Sequence, residues 1–140
     1  NQREEAVGHY GEMLRLNPND EQGIRYTLLP SLIILGRDEE AERLYRAYQD
    51  ETAASWYYCR ALLDFRAQGE SPQAMQSLES AIAQNRHVPA YLLGQVPLPP
   101  SPEDTYKPGD VSEAVVCARE CCDAWILTSG ALDWLRRGLA

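Results

Sequence analysis

The chain has 140 residues, 44% hydrophobic and 24% charged, with a formal net charge of −8. That suits one soluble globular domain with a core of its own, needing neither metal nor disulfide to hold it. The excess of acid repels phosphate and argues against nucleic acid or anionic membrane as partners, and no apolar run approaches the length of a bilayer span.

The acid is spread rather than gathered in a tail: residues 1–50 carry 10 acids and 6 bases, 51–95 carry 4 and 3, and 96–140 carry 7 and 4. Solvated helix faces account for it. Twelve arginines stand against one lysine, Lys107, a bias expected of a GC-rich bacterial genome. The chain opens at Asn1 with no methionine and no secretory apolar segment, and so reads as a piece of a longer cytoplasmic protein.

In chain order, helical periodicity predicts helices over 3–16, 20–35, 38–50, 53–68, 72–84, 88–94, 111–127 and 130–137. The first reads as the second member of a pair whose partner lies outside the sequence. Its flank at Val7, Met13 and Leu14 is expected to be exposed, inviting a second copy of the chain (a homodimer) or a neighbouring helix. Leu16-Asn17-Pro18-Asn19-Asp20 breaks the pattern. The stripe Ile24, Leu28, Leu32 follows, with Pro30 inside it. That proline removes one backbone donor and should kink the helix near Tyr26. Either the Tyr26 carbonyl is freed for a ligand or packing absorbs the bend.

Beyond Gly36 come Ala41, Leu44, Tyr45 and Tyr48, then Tyr58, Ala61, Leu62 and Phe65; beyond Gly69 come Ala74, Leu78, Ala81 and Ile82. All recur at i, i+3, i+4, i+7, and no alternating run competes with them. Residues 96–109 form a proline-rich insert with Pro97, Pro99, Pro100, Pro102 and Pro108. It reads as a stiff loop folded on the domain or as a polyproline ligand.

The turns repeat. Gly36-Arg37-Asp38-Glu39-Glu40-Ala41 and Gly69-Glu70-Ser71-Pro72-Gln73-Ala74 lie 33 residues apart, and Gly109-Asp110-Val111-Ser112-Glu113-Ala114 follows 40 later. In each, a glycine suited to left-handed backbone ends one helix, and Asp38, Ser71 or Asp110 is placed to cap the next. Pro72 fits a first helical turn, and Asp110 with Glu113 has capping-box spacing. Helix hairpins in tandem are the consequence.

A pair of helices recurring at this interval resembles the tetratricopeptide repeat. Tyr58, Ala61, Leu62 and Phe65 match the first half of its signature. Ala41 with Tyr45, Ala6 with Tyr10, and Pro18 match the second, while Ala53 and Arg86 depart from its proline. Residues 85–136, with His87-Val88-Pro89-Ala90-Tyr91-Leu92-Leu93-Gly94, Trp125 and Gly130-Ala131-Leu132-Asp133-Trp134-Leu135, resemble the carboxyl end of the "suppression of tumorigenicity" family and its bacterial relatives. The resemblance implies an all-α fold, a right-handed solenoid of tandem antiparallel helix hairpins forming a single domain over residues 1–140. It brings no catalytic residues.

In such a solenoid the first helix of each pair lines a concave face. Tyr26, Ile33, Trp56, Cys59, Leu63, Arg66 and Leu93 are expected to face or border it. They form a groove for a helix or peptide of a partner, or, for Trp56 and Tyr26, packing between hairpins. Cys59, Cys117, Cys121 and Cys122 are read as reduced core thiols. Cys117 and Cys121 share a helix face, which keeps a metal or redox site as the competing reading, although paired-cysteine zinc spacing is absent. His9 and His87 stand alone, no hydrolase, zinc-protease or P-loop motif occurs, and no cofactor is expected. The expected function is therefore a protein-binding scaffold and not an enzyme. The alternatives are a structural or regulatory segment packed on other parts of its own chain, and the thiol site.

Overall fold

The computed structural model describes residues 1–100 and 105–140. Among them are eight helices and no strand: α1 Gln2–Leu16, α2 Arg25–Ile34, α3 Asp38–Ala47, α4 Ala54–Gln68, α5 Pro72–Gln84, α6 Val88–Leu92, α7 Val111–Leu127 and α8 Ala131–Gly138. No described helix is long and apolar enough to cross a membrane.

The repeated turns behave as their residues dictate. Gly36, Gly69 and Gly109 have φ of 75°, 70° and 80°, a region where a Cβ would strain the backbone. Ser71 Oγ accepts the Ala74 amide at 3.0 Å ahead of Pro72, and Asp110 accepts the Ser112 amide at 3.3 Å. Asp38 does not cap. It is the first residue of α3, and its carboxylate takes both arms of the Arg66 guanidinium at 2.9 Å. Ala41, Ala74 and Ala114 are each 0% exposed.

Helix α2 starts at Arg25 rather than near residue 20. Asp20 sits at φ 50° and its carboxylate accepts the amides of Ile24 and Arg25 at 2.8 and 2.9 Å, so the chain turns before it coils. Pro30 is buried within α2, which continues to Ile34; one turn behind, the Ser31 hydroxyl donates to the Thr27 carbonyl at 2.9 Å. The expected apolar flank of α1 is largely absent. Val7 and Leu14 are buried beside Leu28 and Leu32 of α2 and Leu44 of α3, while Met13 is half-buried.

Helices α2 with α3 and α4 with α5 pack as hairpins, while α7 packs on α2, α4 and α6. The order of its contacts fixes its direction. Glu113 meets Ala54, Cys121 meets Ser55 and Cys59, and Thr128 meets Arg66, so α7 runs alongside α4 in the same sense. At the far end, Tyr58, Trp125, Trp134 and Phe65 form a ladder of rings. Trp125 and Trp134 stack at 6.2 Å, and Trp134 and Phe65 at 4.7 Å. Of the proline-rich insert, Leu98 packs on the core and Pro99 accepts a hydrogen bond from Arg119; Pro102 lies outside the described residues.

Candidate functional site

The residues expected to line an open groove are dispersed. Ile33, Trp56, Cys59 and Leu63 are at most 1% exposed, and Tyr26, Arg66 and Leu93 are half-buried. The four inner residues therefore cannot receive a partner in this conformation: Cys59 is covered by α7, and Trp56 by Tyr26, Tyr45 and Tyr48. Trp56 packs between hairpins. It lies edge-on to Tyr26 and Tyr48 and stacked on Tyr45, with ring centroids 5.9, 6.4 and 6.1 Å away. Arg66 joins Asp38 of α3 to Thr128, whose Oγ1 it reaches at 2.9 Å. Leu93 closes α6.

What the fold brings together instead is the seam between α4 and α7. At its start stands Glu113, 3% exposed. Its carboxylate accepts the Ala54 amide at 3.1 Å, the Asn85 side-chain amide at 3.1 Å and the Gly109 amide at 2.8 Å. Helix α4 has no side-chain cap of its own, since its cap position is Ala53. Glu113 serves that end from 59 residues away, where the positive end of the helix dipole favours a carboxylate.

Next along the seam is a cavity of about 70 Å³ lined by Tyr26, Ala54, Ser55, Tyr106, Cys117 and Glu120 among others. Ser55 is 3% exposed, and its hydroxyl lies beside the Glu120 carboxyl without a close hydrogen bond among the described residues. Burial, with the nearby Cys121 sulfur adding, pushes the Glu120 carboxyl up to about 8. Deeper still, Cys59 and Cys121 meet across the two helices with Sγ atoms 3.7 Å apart, and Cys121 Sγ lies 4.0 Å from the Ser55 carbonyl. Cys117 stands one turn earlier on the same face. All three thiols are buried and unbridged, while Cys122 is only partly covered. Contact with Cys117 and then Cys59 lowers Cys121 from the usual thiol range; those two are themselves raised, Cys59 first by its contact with Cys121 and Cys117 first by burial. Among the described residues, no group of three or more His, Cys, Asp or Glu is placed to hold a metal ion.

Ser55 and Glu120 were not foreseen, and Glu113 was foreseen only as part of a capping box with Asp110. The one signal for Glu120 was its place between Cys117 and Cys121 on α7. Its raised carboxyl has a measurable sign. Below about pH 4.5 folded and unfolded chains both hold the proton; between there and about 8 only the folded chain does. Unfolding then releases a proton, so this group's contribution to stability is full below that window and is lost as pH rises through it. Glu120→Gln should match the wild type in melting temperature at about pH 4.5 and exceed it by about 10 °C or more above about pH 8; equal pH profiles for the two would show the carboxyl to be unperturbed.

No family model matches this chain, and neither a curated protein nor a solved structure matches it at significance.

Proposed function

We propose that the chain is a short tetratricopeptide-like scaffold that holds a helix of a protein partner and performs no catalysis. One observation carries the reading: the α2/α4 face already holds a 17-residue helix, α7, along most of its length. A face that takes an amphipathic helix from its own chain has the chemistry to take one from another. With that face filled, a cleft between α1 and α2 offers a surface for a partner. It is about 760 Å³, floored by Ala6, Tyr10, Ile34 and Leu35 and lipped by Arg3 and Thr27. Ala6 and Tyr10 stand one helical turn apart, and Arg3 suits a partner helix with an acidic flank.

The test compares partner capture by the wild type with capture by Tyr10→Ala and Ile34→Glu. Both side chains are only half-buried, so circular dichroism should show the fold retained. Selective loss of the same captured protein from both variants, by about tenfold in affinity, is the expected result. Undiminished capture by Ile34→Glu would remove the cleft from consideration.

A further inference from the structure

We propose that the α4–α7 seam is a hydroperoxide-reactive thiol site, in which oxidation joins Cys59 to Cys121 and fastens α7 to α4. The inference rests on the chemistry of the seam and is independent of partner binding. Three features converge there. First, Cys59 and Cys121 come from different helices and their sulfurs are already in contact at 3.7 Å, so a bond of about 2.05 Å needs only a small approach of the side chains. Second, Cys117 is the sulfur that lines the cavity, and the space of about 70 Å³ beside it accommodates a molecule the size of a few waters. Hydrogen peroxide or a short alkyl hydroperoxide enters; oxidised glutathione does not. Third, two polar groups line that cavity side by side. The Ser55 hydroxyl is buried next to the Glu120 carboxyl, and Glu120 keeps its proton near neutrality. A hydroxyl and a carboxylic acid around a small space beside a thiol suit a peroxide, which both accepts and donates hydrogen bonds.

The chemistry balances with the hydroperoxide as the only oxidant. Cys117 Sγ attacks one peroxide oxygen and the O–O bond breaks. The departing oxygen takes the Glu120 proton and leaves as water or an alcohol, and Glu120 regains a proton from the thiol, leaving Cys117 as sulfenic acid. Cys121, the most acidic of the three thiols, attacks the Cys117 sulfur and expels water. The resulting bridge lies within one helix turn, an unfavourable geometry for a disulfide. Cys59 then attacks the Cys121 sulfur, forms the bond across the helices and returns Cys117 as a thiol. In sum, two thiols and one hydroperoxide become one disulfide, one water and one further water or alcohol.

The experiment treats the native wild-type chain with hydrogen peroxide and, separately, with oxidised glutathione, and maps the products by intact mass and peptide analysis. Peroxide should remove two hydrogens per chain and yield a Cys59–Cys121 linked peptide, while oxidised glutathione leaves these three thiols free. Cys117→Ser should slow peroxide-driven linkage by about tenfold, and Cys59→Ser should stop at the Cys117–Cys121 bridge or at a trappable sulfenic acid. The proposal is overturned by modification of Cys122 alone, by linkage of a different pair as the end product in the wild type, or by equal rates with the two oxidants, which would mean that the thiols react only after unfolding.

Discussion

Replacing Trp56 with alanine should lower stability by about 4 kcal/mol and the melting temperature by about 12 °C, with no smaller effect when a partner is absent. The indole is 1% exposed and is enclosed by Tyr26, Tyr45 and Tyr48 on three sides. Its Nε1 reaches the Tyr45 carbonyl at 3.4 Å. Truncation opens a cavity among rings carried by α2 and by α3 with its C-cap, and Tyr26 and Tyr48 are anchored elsewhere. Tyr26 is hydrogen-bonded to Glu51 at 2.7 Å, and Tyr48 to the Pro18 carbonyl. They cannot collapse inward without losing those bonds. Trp56→Phe should retain most of the stability, since a ring still fills the site. Thermal melts of the three chains decide the matter: a loss below about 1 kcal/mol for alanine would return Trp56 to the surface as a candidate anchor.

The second large effect belongs to Glu113. Glu113→Ala should cost about 3 kcal/mol, because it strands two buried donors, the Ala54 amide and the Asn85 side chain, and frees the Gly109 amide to solvent. Asn85 is itself 1% exposed and spans the region, with its carbonyl accepting the Tyr58 hydroxyl at 2.7 Å and its side chain reaching the Asp110 carbonyl at 2.9 Å. Glu113→Gln keeps one acceptor oxygen and should lose roughly half as much. Amide hydrogen exchange gives the local readout. Ala54 and Gly109 should lose protection in the alanine variant before the rest of α4 does, and uniform loss across the chain would mean that Glu113 acts through general packing.

Helix boundaries were largely legible in the sequence because their causes are local. Gly69, Ser71 and Pro72 write the end of one helix and the start of the next within four residues, and α5 begins where they place it. The start of α2 was misread because Asp20 closes a turn through bonds to Ile24 and Arg25, a side-chain geometry that hydrophobic spacing does not encode. The groove failed for a different reason. An apolar stripe says that a face of α4 is buried but not by what, and the cover over Cys59 arrives from α7, 62 residues further on. The capping-box spacing of Asp110 and Glu113 was real in pattern, yet the glutamate serves the Gly109 amide and the start of α4. Long-range partners of this kind leave no periodic trace.

A linear stack of helix pairs can unravel from either extremity, one neighbour at a time. Here α7 lies across both α2 and α4, and the acid at its start completes the amino end of α4. Losing the last third of the chain thus uncaps the middle, and the middle cannot persist as an independent remnant. Cooperativity is the outcome: denaturant should melt the two halves in one transition, and refolding should be slower than for an array built from adjacent contacts alone, since distant segments must meet before either is secure.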